Sequence, residues 1–301
     1  MNDLRAAIVE VIGSETAMAL PAAITAIADA VRLRHGQTVA AVLAYGSCLR
    51  DGESEALIVD LYVLVDDYRA AGQSAWFSRL NAWLPPNVYY LETPFHGRKV
   101  RSKYAVVTLQ QFERLVSPAA FHSYFWGRFA QPTAIAWARH DGARRRTEAA
   151  LAAALVTLAG EVLPTLPVTT DARTFWVEAF RATYACELRA ERGDRPALLF
   201  DRWPTRYQRL HRLIADATAD GTLPATGTRS RWAARQALGK VLSVVRLIKA
   251  AFTFHDGADY IAWKISRHSC VPITLTPWQR RHPILAGIQL FWHLYRSGAF
   301  R

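Results

Sequence analysis

Over roughly the first 130 residues, apolar positions come in short dense runs. After that they recur at helical spacing. Residues 19–36 carry an apolar stripe that stops at Gly36, which predicts a helix with a glycine terminator. The first forty residues read as helical throughout. Residues 38–47 are a short apolar run ending in Gly46-Ser47. A polar insert follows. Residues 56–67 then form a dense run of aliphatic and β-branched side chains, the pattern of a strand buried on both faces. Two more strands are expected over residues 87–93 and 103–109, and a helix opens at 109–116. This alternation predicts a small domain of mixed α and β structure.

Beyond about residue 135 the pattern changes. Residues 144–163, 171–191, 205–221, 229–252, 259–267 and 277–298 all read as helices, most of them amphipathic with arginine on the outer face. The expected fold class is α+β: a mixed-sheet domain over residues 1–135, then a mostly helical domain over residues 136–301. The longest uncharged apolar stretches, residues 149–160 and 283–295, run to about a dozen residues, whereas a membrane span needs roughly 20. Asp3, Arg5 and Glu10 interrupt the first apolar stretch, so no secretory signal is expected either.

Composition narrows the function. With 51% apolar and 21% charged residues the chain is no disordered polymer. The 37 lysines and arginines against 25 acids leave a net charge of +12. Such a surface suits an anionic partner: a nucleic acid, a nucleotide or an acidic membrane. Cys48, Cys186 and Cys270 are far apart and odd in number. They build no disulfide framework and no zinc spacing, which points to a reducing compartment.

The chemistry is concentrated in Gly46 and Ser47, followed after twelve residues by Asp60. A strand ending in Gly-Ser offers backbone N–H groups and a hydroxyl to a phosphate chain, and glycine permits the close approach. An aspartate on the next strand can hold Mg²⁺ against the same phosphates. This is the nucleotidyltransferase arrangement, and it makes the sheet domain nucleotidyltransferase-like. The usual second carboxylate is absent, because Tyr62 stands two residues after Asp60. Six strand residues separate Asp66 from Asp60, about 20 Å, too far to share one ion. Asp66-Asp67 is expected to end the strand and cap a helix. Glu92 is the best-placed second ligand. Its other reading is an exposed strand carboxylate.

Several blocks, in order, resemble the family of the mitochondrial translocator assembly and maintenance protein, the soluble-type phosphatidate cytidylyltransferases (CDP-diacylglycerol synthases). They are AYGSCLRDG, IVDLYVLVDDY, NVYYLETPFHGRKVRSKYAVVTLQQFERLV and SYFWGRFAQPTAI, with echoes in EAFRATYACELRAE and VVRLIKAAFTF. The strong part spans residues 40–135. Three features depart from the family pattern. Cys48, Leu49 and Arg50 replace its Gly-Val-Phe after Gly-Ser, with Arg50 a compensating cation. Ala105 follows Lys103-Tyr104 where the family has glycine. No obvious organelle targeting peptide is expected, and the chain looks like a bacterial relative.

The resemblance implies transfer of cytidylyl from CTP to phosphatidate, giving CDP-diacylglycerol and pyrophosphate. On that reading Gly46 and Ser47 seat the triphosphate. Asp60, with Glu92, holds Mg²⁺. Asp60 and Lys103 are the catalytic pair, the lysine meeting phosphate charge. Arg128 binds a substrate phosphate, beside Gly127, which permits close backbone approach. The choice of cytosine rests on the resemblance alone. In residues 229–252 the stripe Leu238, Val241, Val245, Ile248 and Phe252 is expected to be core, with Arg246 and Lys249 beside it as possible contacts for a lipid phosphate. Trp278, Phe291, Trp292 and Tyr295 beside Arg280, Arg281 and Arg296 suit a helix lying on an anionic bilayer, or a packed terminal helix with solvated arginines. The expected setting is cytoplasmic, peripheral at the inner face of the membrane, with no nucleic-acid partner. Two alternatives stay open. One is a nucleotidyltransferase with another acceptor: a different phospholipid, a phosphosugar or a protein. The other is a catalytically degenerate domain that only binds nucleotide, RNA or membrane.

Overall fold

The computed structural model describes residues 2–49, 58–167, 170–188, 194–253 and 276–281. The chain opens with two helices, α1 (Asn2–Thr16) and α2 (Ala22–His35), then β1 (Val39–Tyr45) and β2 (Ile58–Val65). Helix α3 (Ala75–Trp83) leads into a hairpin of β3 (Asn87–Phe95) and β4 (Arg98–Thr108). After it come α4 (Leu109–Leu115), the single turn α5 (Trp126–Phe129) and β5 (Thr133–Ala138). The rest is helical: α6 (Asp141–Val162), α7 (Ala172–Ala185), α8 (Arg195–Arg202), α9 (Pro204–Ala219), α10 (Arg229–Thr253) and α11 (Pro277–Arg281). The architecture is the expected α+β, a mixed sheet in the N-terminal half and helices after it.

The sheet runs in the order β3-β4-β2-β1-β5. β1 pairs antiparallel with both β2 and β5, β4 antiparallel with β3, and β2 parallel with β4. The continuous apolar runs of β1 and β2 reflect burial on both faces. One face packs on α2: Ile27 and Val31 meet Val42, Ala44, Leu61 and Val63. The other packs on α1, α5 and α6, where Ile8, Phe129 and Leu155 share a cluster with Leu43, Tyr62 and Leu64. That second cluster continues into α7, α9 and α10 through Trp176, Tyr207 and Trp232. β5 itself spans residue 135, where the expected domain boundary falls.

Several elements differ from the sequence expectation. β4 begins five residues before 103, because its first half is a ribbon of charges (Arg98, Lys99, Arg101, Lys103) with no apolar run. Asp67 caps a turn rather than a helix, accepting the Arg69 and Ala70 amides at 2.8 Å each, while Ser74 caps α3. Helix α6 exceeds the expected dozen-residue apolar stretch. By length and composition it is the one helix among the described residues that could cross a membrane, yet 78% of its apolar window is buried.

The inward face of α10 is not the expected stripe. Leu238 is 39% and Val241 60% exposed. Trp232, Arg235, Gly239 and Lys249 are buried instead, with Leu242 and Arg246 half-buried between them. This set also has helical spacing, but it carries three cations and so does not read as a core face. The side chains of Ile248 and Phe252 lie outside the described residues. So do residues 259–267, Phe291, Trp292, Tyr295 and Arg296.

Candidate functional site

The hairpin register places Tyr45 opposite Asp60. The parallel register places Asp60 beside Lys103, and Lys103 faces Tyr90 on β3. Tyr45, Asp60, Lys103 and Tyr90 therefore form one row across four strands, pointing to the face that α5 and α6 cover further along. The Ser102 hydroxyl, on the opposite face, donates to the Val59 carbonyl at 2.9 Å and pins β4 to β2 at this row. Farther along the same face, Tyr62, Leu64, Ala105 and Val107 are sealed in the core. At the row itself the sheet opens. Tyr45, Gly46, Ser47, Asp60 and Lys103 are all half-buried, and they bring together the expected phosphate seat, carboxylate and cation.

Gly46 turns out of β1 with φ +80°, and a β-carbon there would lie 3.4 Å from Asp60 Oδ2. The left-handed conformation favours glycine here, while the space beside the carboxylate would admit a β-carbon in ordinary van der Waals contact. Burial, with the negative charge of Asp60 next to it, pushes the Cys48 thiol up to about 12. The thiol stays protonated and donates to the Tyr45 carbonyl at 3.1 Å. Burial and the same carboxylate hold the Tyr45 phenol far above its ordinary value. Neither group is a nucleophile or base near neutral pH.

Lys103 stands in register with Asp60 and forms no ion pair among the described residues, so its ammonium is uncommitted. Glu92 is committed. Tyr90 donates to its Oε1 at 2.9 Å, Arg101 to the same oxygen at 3.1 Å, and Lys99 to Oε2 at 3.1 Å. Burial opposes ionisation, but these donors outweigh it and hold the Glu92 carboxyl below its usual range. Glu92 also sits two residues beyond the row, opposite Arg101 rather than Lys103. Among the described residues no group of three or more His, Cys, Asp or Glu side chains is gathered for a metal. Arg50 lies outside the described residues.

A second layer closes the row from the helical side. Arg128 on α5 donates to the Tyr45 hydroxyl at 3.3 Å and pairs with Glu187 at 3.7 Å. Its guanidinium carbon lies 4.6 Å from the Tyr124 ring centre and 5.7 Å from that of Tyr45. Burial works against its charge, but the surrounding phenols and Glu187 more than compensate, and Arg128 stays a firm cation. Gly127 serves packing rather than a ligand, since a β-carbon there would meet the Thr183 side chain at 2.8 Å. Arg246 on α10 reaches the same cluster, 4.0 Å from the Tyr124 ring centre. Burial opposes ionisation of the Tyr124 phenol, but Arg128 and Arg246 outweigh it and hold it below its ordinary value. Sequence spacing could not have joined Tyr124, Glu187 and Arg246 to Asp60, because the turn before α5, the bend after α7 and helix α10 supply them.

Mg²⁺ commonly uses one or two protein carboxylates, completed by substrate phosphates and water. Asp60 supplies one carboxylate against the Gly46 turn, a donor that fits an ion brought in with a triphosphate. Comparison with protein-family models gives no match for this chain, and comparison with curated proteins gives none either.

Proposed function

We propose that the chain is a nucleotidyltransferase that moves the cytidylyl group of CTP onto phosphatidate, yielding CDP-diacylglycerol and pyrophosphate. The observation that carries the reading is the row itself: a left-handed glycine turn against Asp60, with the uncommitted Lys103 in register on the next strand. Gly46 and Ser47 seat the triphosphate. Asp60 holds Mg²⁺, which supplies charge neutralisation along the phosphate chain. Lys103 meets charge on the transferring phosphorus. An acceptor phosphomonoester is already largely a dianion near pH 7, with a second pKa of about 6. No general base is needed. One acceptor oxygen attacks the α-phosphorus in line, the bond from that phosphorus to the bridging oxygen breaks, and pyrophosphate leaves. Positioning and charge neutralisation supply the catalysis. A lipid acceptor puts the protein at the cytoplasmic face of an anionic membrane, in keeping with its net charge of +12.

The engagement of Glu92 by Tyr90, Lys99 and Arg101 favours a second reading, a domain that binds nucleotide without turnover. One experiment separates the two. Pyrophosphate release is measured with Mg²⁺ and each of the four nucleoside triphosphates, with and without phosphatidate in detergent, for the native chain and Asp60→Asn. Release that needs both CTP and phosphatidate, and is lost in Asp60→Asn, supports the transferase. Stabilisation by CTP with no release under any condition supports the binding domain.

A further inference from the structure

The inward stripe of α10 carries three cations, and the protein treats them differently. Arg235 is fully buried, but Glu161 pairs with it at 3.1 Å, its Nε donates to the Phe121 carbonyl at 2.6 Å, and the rings of Phe121, Trp126 and Trp232 surround it. The Lys249 ammonium donates to the carbonyls of Leu84 and Pro86. Arg246 differs in forming no ion pair among the described residues. Its Nε donates to the Pro85 carbonyl at 3.2 Å, while its Nη2, like Nη1 and Nη2 of Arg235, is buried with no hydrogen-bond partner among the described residues.

Arg246 also has a close cationic neighbour. Its guanidinium and that of Arg128 lie on the same Tyr124 ring, at 4.0 and 4.6 Å from the ring centre. The two cannot be farther apart than those distances added together. The acid identified beside the pair is Glu187, 3.7 Å from Arg128. His122 also stands near Arg246. Burial, then the charges of Arg246 and Arg235, hold it down to about 4, so it is neutral near pH 7, and its buried Nδ1 has no partner. A half-buried Arg246 charge without an acid of its own, beside the orphaned His122 Nδ1, is costly unless an anion completes it.

We propose that Arg128 and Arg246, sharing the Tyr124 ring, form a second anion site that holds a phosphomonoester, separate from the phosphate seat at Gly46 and Ser47. The role of that ester as the acceptor rests on the transferase reading above; its binding does not. Planar guanidiniums grip phosphate oxygens through paired N–H donors, and a dianion matches two cations better than a monoanion does. Tyr45, Tyr124, Arg128, Glu187 and Arg246 are all half-buried, so each keeps part of its surface in contact with solvent. Arg128 touches Tyr45, and Tyr45 stands opposite Asp60, which sets this site next to the first. A reaction between two phosphate groups needs separate cations for each, because the groups repel.

The test uses the full chain without metal or nucleotide. Calorimetric titration with glycerol 3-phosphate, short-chain phosphatidate and dimethyl phosphate is run on the native protein and on Arg246→Gln. A second titration with CTP and Mg²⁺ is run on both and on Asp60→Asn. The native chain is expected to bind a phosphomonoester at least about tenfold more tightly than the diester, and Arg246→Gln to weaken that binding by about tenfold, the loss of a charge-assisted pair. CTP binding is expected to survive Arg246→Gln and to fall in Asp60→Asn. Binding of phosphatidate alone assigns the site to a lipid headgroup, and binding of both esters to the phosphate in general. No phosphomonoester binding by the native chain overturns the proposal, whether or not the variant folds. Equal binding by a folded Arg246→Gln overturns it too. If Arg246→Gln does not fold, Arg246→Lys takes its place and is expected to bind several-fold more weakly than native. Ester binding that depends on Arg246, with no triphosphate bound by any form, sinks the transferase reading and leaves this site standing.

Discussion

Gly46 and Asp60 are in contact across the β1–β2 turn: a β-carbon on the glycine would lie 3.4 Å from Asp60 Oδ2. The glycine also holds φ +80°, a conformation that costs other residues about 1–2 kcal/mol. Gly46→Ala is therefore expected to lower stability by about that amount in urea denaturation. Triphosphate binding with Mg²⁺, read by thermal shift, should weaken by about tenfold or more, since a turn strained at φ +80° no longer holds its backbone N–H groups in place for the phosphates. A variant that binds triphosphate as well as native would mean the turn is not the phosphate seat.

Glu92 is tied down by three donors and should contribute little to metal use. In Glu92→Gln the Mg²⁺ concentration for half-maximal pyrophosphate release should stay within about twofold of native. The stability change should be small, since partly exposed ion pairs are worth about 0–1 kcal/mol. Because its carboxyl is held below the usual range, the Glu92 contribution is present at neutral pH and fades as acid protonates it. Thermal melts from pH 7 to 4 should fall slightly less steeply for the variant. A tenfold rise in the Mg²⁺ requirement would make Glu92 a ligand and require its pairs with Lys99 and Arg101 to break.

The pair of Glu161 and Arg235 joins α6 to α10 in the core, with Arg231 on the other carboxylate oxygen at 2.9 Å. Glu161→Gln leaves a buried guanidinium without its counter-charge. The expected cost is about 3–5 kcal/mol, read from urea unfolding midpoints. Glu161→Gln combined with Arg235→Met removes the stranded charge and should recover most of that loss. If the double variant is no more stable than the single one, packing around Arg235 matters more than its charge.

Lys249 gives the fold a pH dependence on the alkaline side. Burial, and then the neighbouring Arg246 charge, lower its pKa from 10.5 to about 7. Between those values the unfolded chain binds a proton there that the folded chain does not. Stability should therefore rise from about pH 7 toward pH 10. The neutral amine keeps two N–H donors, enough for the Leu84 and Pro86 carbonyls. Replacing it in Lys249→Met should flatten that rise in a pH series of chemical melts. A slope unchanged in the variant would assign the effect to other groups.

What was readable in the sequence follows from how local each signal is. Gly46, Ser47 and Asp60 were legible because a hairpin sets neighbours in sequence side by side, and β1 and β2 because burial on both faces leaves no polar position to break the run. The first half of β4 was illegible, since Arg98, Lys99, Arg101 and Lys103 face solvent or the open row. On α10 the periodicity was real but its sense was inverted. Arg235, Arg246 and Lys249 look like a solvated face until Glu161, Tyr124 and the 84–86 carbonyls are seen opposite them. Those partners lie far away in the chain, and no spacing rule connects them.

The dependence of the sheet on α6 and α10 has a consequence for synthesis. The Asp60 face is complete as a strand arrangement once residue 138 has been made, but the helices that seal and charge-match it end at residues 162 and 253. At ribosomal rates of about 5–20 residues per second, that apolar face waits on the order of ten seconds for its last cover. A truncated or stalled product ending near β5 would expose Leu43, Tyr62 and Leu64, and would be a substrate for chaperones rather than a smaller stable domain.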